Sequence, residues 1–597
     1  MNKNSILAVV LSALVMFGYI FYQSKYVTPQ IEQTATEQVN KEKIEQESKE
    51  ESFLTEQTIE DEQVEEKESE FLLETNKMKV KFTNRGGDIT SLELTEHKDS
   101  KTKELIQMAK NVTQTNRAFS LSLGPNNKQP INDIFIVKEF PVNEKGEKKI
   151  AFAKKYKDFT LIKQYTFLDD EYMFKFDVII DGNPNFKGIG INGTDNKKVA
   201  YSLRTSPQIG PYYDPKEDRY ENRTFLAHNG SKAKKVLLTD NQYKKYDKDL
   251  VWAGITGKYF CQLVVPVKPE SMVDVYYSTS KANLQMADAQ NIIERMEIID
   301  NRIDDEYFVY VGPRSEKELK KYTSASLNKW DFEGKKLNDA MGTNGFLGWL
   351  EAIFKFVMEL IYKIIPNWGI SIIIMTIILK IVLFPLTLKS SLGTLKMQQI
   401  QPKMQAIQAK YKDNPEKLQA ETAKLYQEVG YNPLSGCLPM IFQMMALFAM
   451  YNLFNNYFEF RGAGFVKGWI EDLSMGDSIL SWKKNIPIIS GITGNHLRLL
   501  PIIYLFSQLF YGKITQMNAG GAAGQNPGMM KFMTYGLPII FSFMFYNAPS
   551  GLLLFWTVSN IIQMGQQLII NNVMAKKRAE TDENKDVLKF PKKKGKK

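Results

Sequence analysis

The sequence predicts a polytopic α-helical membrane protein with six transmembrane helices. It also predicts a large all-β sandwich domain outside the membrane and a helical hairpin on the opposite side. Three observations carry this. Apolar runs of bilayer-spanning length crowd the C-terminal part of the chain. The segment from about residue 71 to 330 alternates apolar and polar residues between turn signals such as NRGG and DGNPN. Lysine and arginine concentrate in those loops that this arrangement puts on one face.

Residues 1–27 contain an apolar run, Ser5–Tyr22, behind Lys3. A signal peptide would end in a small-residue cleavage site, and no A-x-A pattern follows, so the run reads as an uncleaved signal anchor. Residues 28–70 are rich in Glu, Gln, Lys and Ser and read as a disordered acidic tether, too poor in large apolar residues to fold. Residues 71–330 read as the sandwich, with MKVKFTN, FLDDEYMFKFDVII, LVWAGITGKYFCQLVVPV and EYFVYVG as its strand-like stretches. Residues 331–366 include GFLGWLEAIFKFVMELIYKII. The charges there, Glu351, Lys355, Glu359 and Lys363, fall four apart and set one polar stripe on an apolar helix. The stripe suits a helix lying in the membrane interface; a helix buried against the β domain is the alternative.

Residues 367–575 read as a five-helix core. The spans run roughly Trp368–Leu388, Leu434–Phe454, Leu499–Tyr511, Phe532–Ala548 and Leu552–Val573. With the anchor they make six, so both termini share a side. The loop from Lys389 to Asn432 holds seven lysines and the tail after Met574 holds ten Lys or Arg, against four in the loop from Asn455 to Leu497. That bias puts the first two in the cytoplasm and the β domain in a periplasm. In the hairpin, residues 389–432, Met397, Ile400, Met404, Ile407 and Tyr411 follow helical spacing, and Leu418 and Leu425 repeat at seven. Asp413-Asn414-Pro415 supplies the turn, a cap and a first-turn proline, and Pro402 is a candidate start for the first helix. The tail, 576–597, is basic.

The net charge of +10 does not point to nucleic acid, because the positive charge lies beside apolar spans and no basic stripe interleaved with aromatics occurs. Two cysteines, Cys261 and Cys437, exclude a disulfide scaffold. No HExxH, CxxC, Walker loop or GxSxG occurs, so the sequence offers no metal, cofactor or catalytic site.

The anomaly is TIILKIVLFP, which puts Lys380 inside a span. A charge at the bilayer centre costs about 2.5–3.5 kcal/mol. The other five spans carry no Asp, Glu, Lys or Arg to pair with it. Neutral polar groups are present instead. Thr376 shares a helix face with Lys380, and Trp556, Asn560, Gln563 and Gln567 share a face of the last span. Gln443 and Gln508 sit in two others. These predict a wet, positive, amide-lined cavity for a transient polar guest; ordinary interhelical bonding is the plain alternative for any one amide. Methionines in the spans, among them Met440, Met444, Met445 and Met450, suit varied apolar partners or plain core filling.

The stretches NWGISIIIMT, FPLTLKSS, MQQIQPKMQAIQAKY, YNPLSGCLPMIFQM, WIEDLS and PSGLLLFWTVSNIIQ resemble the YidC family of membrane protein insertases. NRGGDITSLEL, WAGITGKYF and VYVGPRS resemble that family's outer β domain more loosely. The resemblance implies a five-helix core around a hydrophilic groove, open to cytoplasm and lipid and closed outside. Lys380 takes the place of the family's groove positive charge, usually arginine. Thr376 matches its groove threonine. Trp556 stands where tyrosine is common, and Met444 stands where proline usually follows the glutamine at Gln443.

The expected function is a membrane protein insertase and chaperone of the cell inner membrane, not an enzyme. Lys380, Thr376, Gln443, Trp556, Asn560 and Gln563 would hold a polar client segment. Expected partners are nascent membrane proteins, membrane lipids, the Sec translocon that the resemblance implies, and the ribosome through hairpin and tail. The rival is a small-anion transporter centred on Lys380, which would call for inverted repeats not visible here. A hydrolase pairing Lys380 with Ser371 fails, since nine residues of helix separate them by about 13 Å. A merely anchored carbohydrate-binding protein would not need five further spans.

Overall fold

The computed structural model describes residues 67–583 except 101, 194–195, 212–220, 222, 239–240, 242, 247–249, 283–284, 343–346, 430–432, 483–492, 494 and 517–530. The expected anchor, nearly all of the tether and the end of the tail lie outside the described residues. The chain divides into two compact units, one ending at Thr343 and one beginning at Asn344.

The first unit is built from antiparallel sheets. Met78–Thr83 shows the logic of its strands: Met78, Val80 and Phe82 are buried, Lys79 half-buried and Lys81 exposed. A nine-stranded sheet runs, in spatial order, Ala233–Leu237, Thr224–His228, Trp252–Thr256, Phe260–Pro266, Arg302–Pro313, Met173–Gly182, Phe159–Leu168, Glu147–Lys155 and Ile136–Phe140. Trp252–Thr256 and Phe260–Pro266 are buried at every position, as strands covered on both faces must be. A four-stranded sheet (Glu70–Glu74, Met78–Thr83, Asp88–Lys98, Leu105–Gln107) and a six-stranded one that includes Lys198–Arg204 and Gln285–Met296 complete the unit. Aromatic rings join the layers: Phe82 meets Tyr165 at 5.0 Å, and the Tyr201 hydroxyl lies 2.8 Å from that of Tyr307.

Two of the strand-like stretches are hairpins. FLDDEYMFKFDVII turns between Leu168 and Met173, with Asp170 at φ 68°, and LVWAGITGKYFCQLVVPV turns between Thr256 and Phe260. Asp-Asp and Gly-Lys are turn chemistry inside otherwise apolar runs. The register is Phe167 opposite Phe174 in the first and Thr256 opposite Cys261 in the second.

A buried ion cluster went unread in the sequence. Asp88 binds the Lys163 ammonium and, at 2.9 Å, the Arg117 guanidinium. Lys163 also donates to the Gly86 and Phe119 carbonyls at 2.9 and 2.8 Å. Asp177 is a different case. Burial pushes its carboxyl up to about 6, against the pull of Lys175 at 3.6 Å, and its Oδ1 has no hydrogen bond among the described residues. The folded-state value lies above the unfolded one. Its stability contribution is therefore complete below pH 4 and lost as pH rises through 6. Asp177→Asn is expected to stabilise the first unit by about 2 kcal/mol at pH 8 and to change little at pH 4. Denaturant titrations at the two pH values check this; equal gains at both would remove ionisation as the cause.

After the last long strand, Ser315 caps a short helix, α1 (Glu316–Lys320). Residues 331–341, which the sequence groups with the interfacial helix, bond to the β unit. Arg314 donates to the Ala340 and Met341 carbonyls at 2.9 and 2.7 Å, and His228 lies 3.0 Å from Asp339.

The second unit is helical: α2 (Gly348–Ile364), α3 (Trp368–Lys410), α4 (Pro415–Val429), α5 (Pro433–Asn456), α6 (Leu500–Gln516), α7 (Leu537–Met544) and α8 (Ser550–Glu583). Asn367 caps α3 by accepting from the Ile370 N–H at 3.0 Å. α3 then runs unbroken through Pro385 and Pro402, so no new helix starts at Pro402. Asn414 caps α4, Pro415 opens it, and Ile400, Met404 and Leu425 pack between the two helices. α6 continues to Gln516 and α8 to Glu583, beyond the predicted ends, while the expected span Phe532–Ala548 divides into a wide turn at Phe532–Gly536 and α7.

By length and composition, one helical stretch among the described residues, Trp368–Ser391, suffices to cross a membrane, and Thr534–Met544 is a shorter apolar helix. The outward faces are apolar. Ile377, Ile378, Ile381 and Val382 of α3, Phe506 and Phe510 of α6, and Ile561, Leu568 and Ile569 of α8 are exposed. Such a surface suits contact with lipid rather than water. α2 follows the same rule. Trp349, Ile353, Phe356, Leu360 and Ile364 point outward. Three of its four stripe residues turn inward: Glu351 accepts from Asn452 at 3.0 Å, Glu359 from the Tyr457 hydroxyl at 2.8 Å, and Lys355 pairs with Glu359 at 3.8 Å, while Lys363 is exposed. The helix packs on α3 and α5 of its own unit.

Candidate functional site

Ile372, Met375, Thr376 and Lys380 form the inner face of α3, all buried, because the next positions round the helix carry the exposed isoleucines. Lys380 is 7% exposed. Its Nζ donates to Gln563 Oε1 of α8 at 2.8 Å. The same oxygen accepts from Gln443 Nε2 of α5 at 3.3 Å, and Gln563 Nε2 donates to the Tyr511 hydroxyl of α6 at 2.9 Å. One amide of α8 thus gathers groups from three other helices. Gln443 is exposed and Gln563 half-buried, so the centre opens on one side. No Asp or Glu occurs in α3, α5, α6 or α7, or in α8 before its last turns, and the ammonium has no ion pair among the described residues.

A second polar group lies one turn along α8. Asn560 donates to Ser507 at 3.0 Å and accepts from Gln508 at 3.4 Å; Gln508 also donates to the Tyr504 hydroxyl at 2.9 Å. Beyond it Trp556 is buried among Tyr504, Phe541 and Phe545, with centroids 5.6, 5.3 and 5.0 Å away. Its indole N–H has no acceptor among the described residues. Thr376 is fully buried and donates to the Ile372 carbonyl of its own helix at 2.6 Å. Gln567 bonds Asn571 instead of joining the Lys380 centre.

Sequence reasoning passed over Gln566, Tyr511, Tyr504 and Ser507. Gln566 Nε2 donates to the Lys380 carbonyl at 2.8 Å. This is where Pro385, lacking an N–H, leaves the neighbouring Ile381 carbonyl without its helix partner. Residues 504, 507, 508 and 511 are spaced to share one face, a signal present in the sequence.

Away from the polar centre, the loop after α5 ties the helix ends together. Asp477 accepts from the Leu499 and Leu500 N–H groups at 2.7 and 2.9 Å, capping α6, and from Trp469 at 2.8 Å. Arg498 donates to the Asp477 carbonyl at 2.8 Å and to Asn547 at 3.0 Å. The start of α8 is held by Ser550 N–H on Met475 O at 2.6 Å and Gly551 N–H on Leu473 O at 3.0 Å. A Cβ at Gly551 would lie 2.8 Å from the Phe454 ring, so glycine permits this approach.

Residues 71–333 match the family model described as YidC periplasmic domain, and residues 360–578 that described as 60Kd inner membrane protein. A membrane protein insertase YidC of Treponema denticola is 42% identical, covering 96% of this chain and 100% of the relative. That of Treponema pallidum is 36% identical, covering 97% and 100%. A solved structure titled as an active YidC insertase with its first transmembrane domain resolved is 17% identical, covers 83% of this chain and 91% of its own, and superposes with a TM-score of 0.33. With both family models matched in order and relatives alike from end to end, the chain belongs to the YidC family of membrane protein insertases.

Proposed function

We propose that this protein inserts integral membrane proteins into the inner membrane and helps them fold, by holding a polar client segment beside Lys380. One observation carries the mechanism: Lys380, between α3 and α8, is buried against a neutral amide, and among the described residues no Asp or Glu of α3, α5, α6 or α7, or of α8 before its last turns, faces it. A buried ammonium so placed attracts an acidic or carbonyl-rich segment and lowers its desolvation cost. Thr376, Gln443, Asn560 and Gln563 add hydrogen-bonding groups, and Trp556 an aromatic wall. The client's apolar flanks then leave along the exposed isoleucines and phenylalanines into lipid, which supplies the driving force without a cofactor.

On this reading the α3–α4 hairpin is cytoplasmic and receives the client. An apolar depression on α4, lined by Leu418, Thr422 and Tyr426, supports that role. Both termini are cytoplasmic and the β unit periplasmic, as the lysine bias directs. The basic tail meets anionic lipid or ribosomal RNA by charge, and the Sec translocon is a further partner.

The test is reconstitution. Purified protein in proteoliposomes is given a single-span client with an acidic outer tail, and protease protection of the tail is measured. Protection above that in protein-free vesicles is expected. None, together with an anion flux through the same vesicles, would favour the transporter reading.

A further inference from the structure

We propose that Gln563 is a resident stand-in for the client, an amide that occupies Lys380 at rest and is displaced by a client carboxylate. The inference rests on the insertase reading above and assigns the groove a preference within it. The arrangement fixes which end of the amide faces the ammonium. Gln563 Nε2 is committed to Tyr511 at 2.9 Å, and its Oε1 takes Lys380 at 2.8 Å and Gln443 at 3.3 Å. Turning the amide over would set an NH2 against the ammonium, so the oxygen stays inward. The oxygen stands where a guest's carbonyl or carboxylate oxygen would stand.

The stand-in answers the question posed by a lone buried charge. An ammonium with no acceptor in an apolar surrounding is costly, and a neutral amide offsets part of that cost while the site is empty. The amide is also replaceable. The ammonium–amide bond is charged on the donor side only, whereas a client carboxylate adds an opposite charge and the attraction that goes with it. A client aspartate therefore wins the exchange, whereas a client asparagine merely trades one amide for another. Two glutamines three residues apart divide the work. Gln566 holds the Lys380 backbone carbonyl at 2.8 Å, so α3 and α8 remain joined while the Gln563 side chain swings aside. The exposed Gln443 lies on the side from which the guest arrives.

The experiment uses full-length protein in proteoliposomes and two clients differing by Asp or Asn at one position of the outer tail. Gln563→Glu places a permanent carboxylate on Lys380. It should lower insertion of the Asp client about tenfold more than that of the Asn client. Gln563→Leu removes the stand-in without adding charge and should preserve the wild-type preference for the Asp client over the Asn client. Thermal unfolding in detergent confirms that both variants fold. The proposal is overturned if Gln563→Glu inserts the Asp client as wild type does, if both clients fall together, or if Gln563→Leu loses the preference for the Asp client. A wild-type protein that inserts neither client would instead overturn the insertase reading.

Discussion

Lys380→Glu is expected to lower insertion of an acidic-tail client about a hundredfold, equivalent to ~2.7 kcal/mol in the barrier. Lys380→Ala should lower it about tenfold, and Lys380→Arg should retain most of it. The order follows from the surroundings. Glutamate would bury an anion beside Gln563 and Gln443 and repel the client's carboxylate. Alanine leaves those amides in place, so the centre remains polar but no longer attracts charge. Arginine keeps the charge, and its planar fork adds donors that Gln563 and Gln443 can accept. Protease protection in matched proteoliposomes reads all three. Should alanine insert the client as well as wild type, the charge is incidental for that client, and the hydration and shape of the groove carry the mechanism.

The largest stability effect is expected in the other unit. Asp88→Ala should destabilise the β domain by about 3–5 kcal/mol, because it strands two buried cations. Lys163 is fully buried and Arg117 3% exposed. Lys163 would keep two carbonyl acceptors, Gly86 and Phe119, but no anion. Asp88→Asn keeps an acceptor of the same shape and should cost less. Urea unfolding of the full-length protein in detergent, followed through Trp252 and Trp330, measures both. A loss below about 1 kcal/mol for the alanine variant would mean that water reaches the cluster and solvates the cations.

Much of this was legible because it is periodic. Alternation marks the strands, and the apolar runs mark the helices. Lys380 announced itself by being the lone charge in its span. What escaped notice depends on contacts between distant residues or on the medium. Gln563 was visible as one of several polar residues on a face. Its position over Lys380, 183 residues earlier, follows from how α3 and α8 pack. Tyr511 sat at the predicted end of a span that continues to Gln516. Asp88, Lys163 and Arg117 carried no signal, because nothing local to each says that these distant stretches converge on one another. The stripe of α2 was visible, but its direction was not. On a helix facing water Glu351 and Glu359 would point outward, whereas here they face Asn452 and Tyr457.

The unbroken course of α3 has a mechanical consequence. At 1.5 Å per residue, Lys380 lies about 18 Å from the Trp368 end and about 45 Å from the Lys410 end. For a rigid rod pivoting at Lys380, a 5 Å swing of the hairpin tip becomes only about 2 Å at Trp368. That short arm is the one clamped by the stacked Tyr362 ring 4.2 Å away and by Tyr457 and Phe460 edge-on at 5.5 Å. α3 is thus a lever with unequal arms, which allows large excursions at the hairpin tip and damps them near the aromatic clamp.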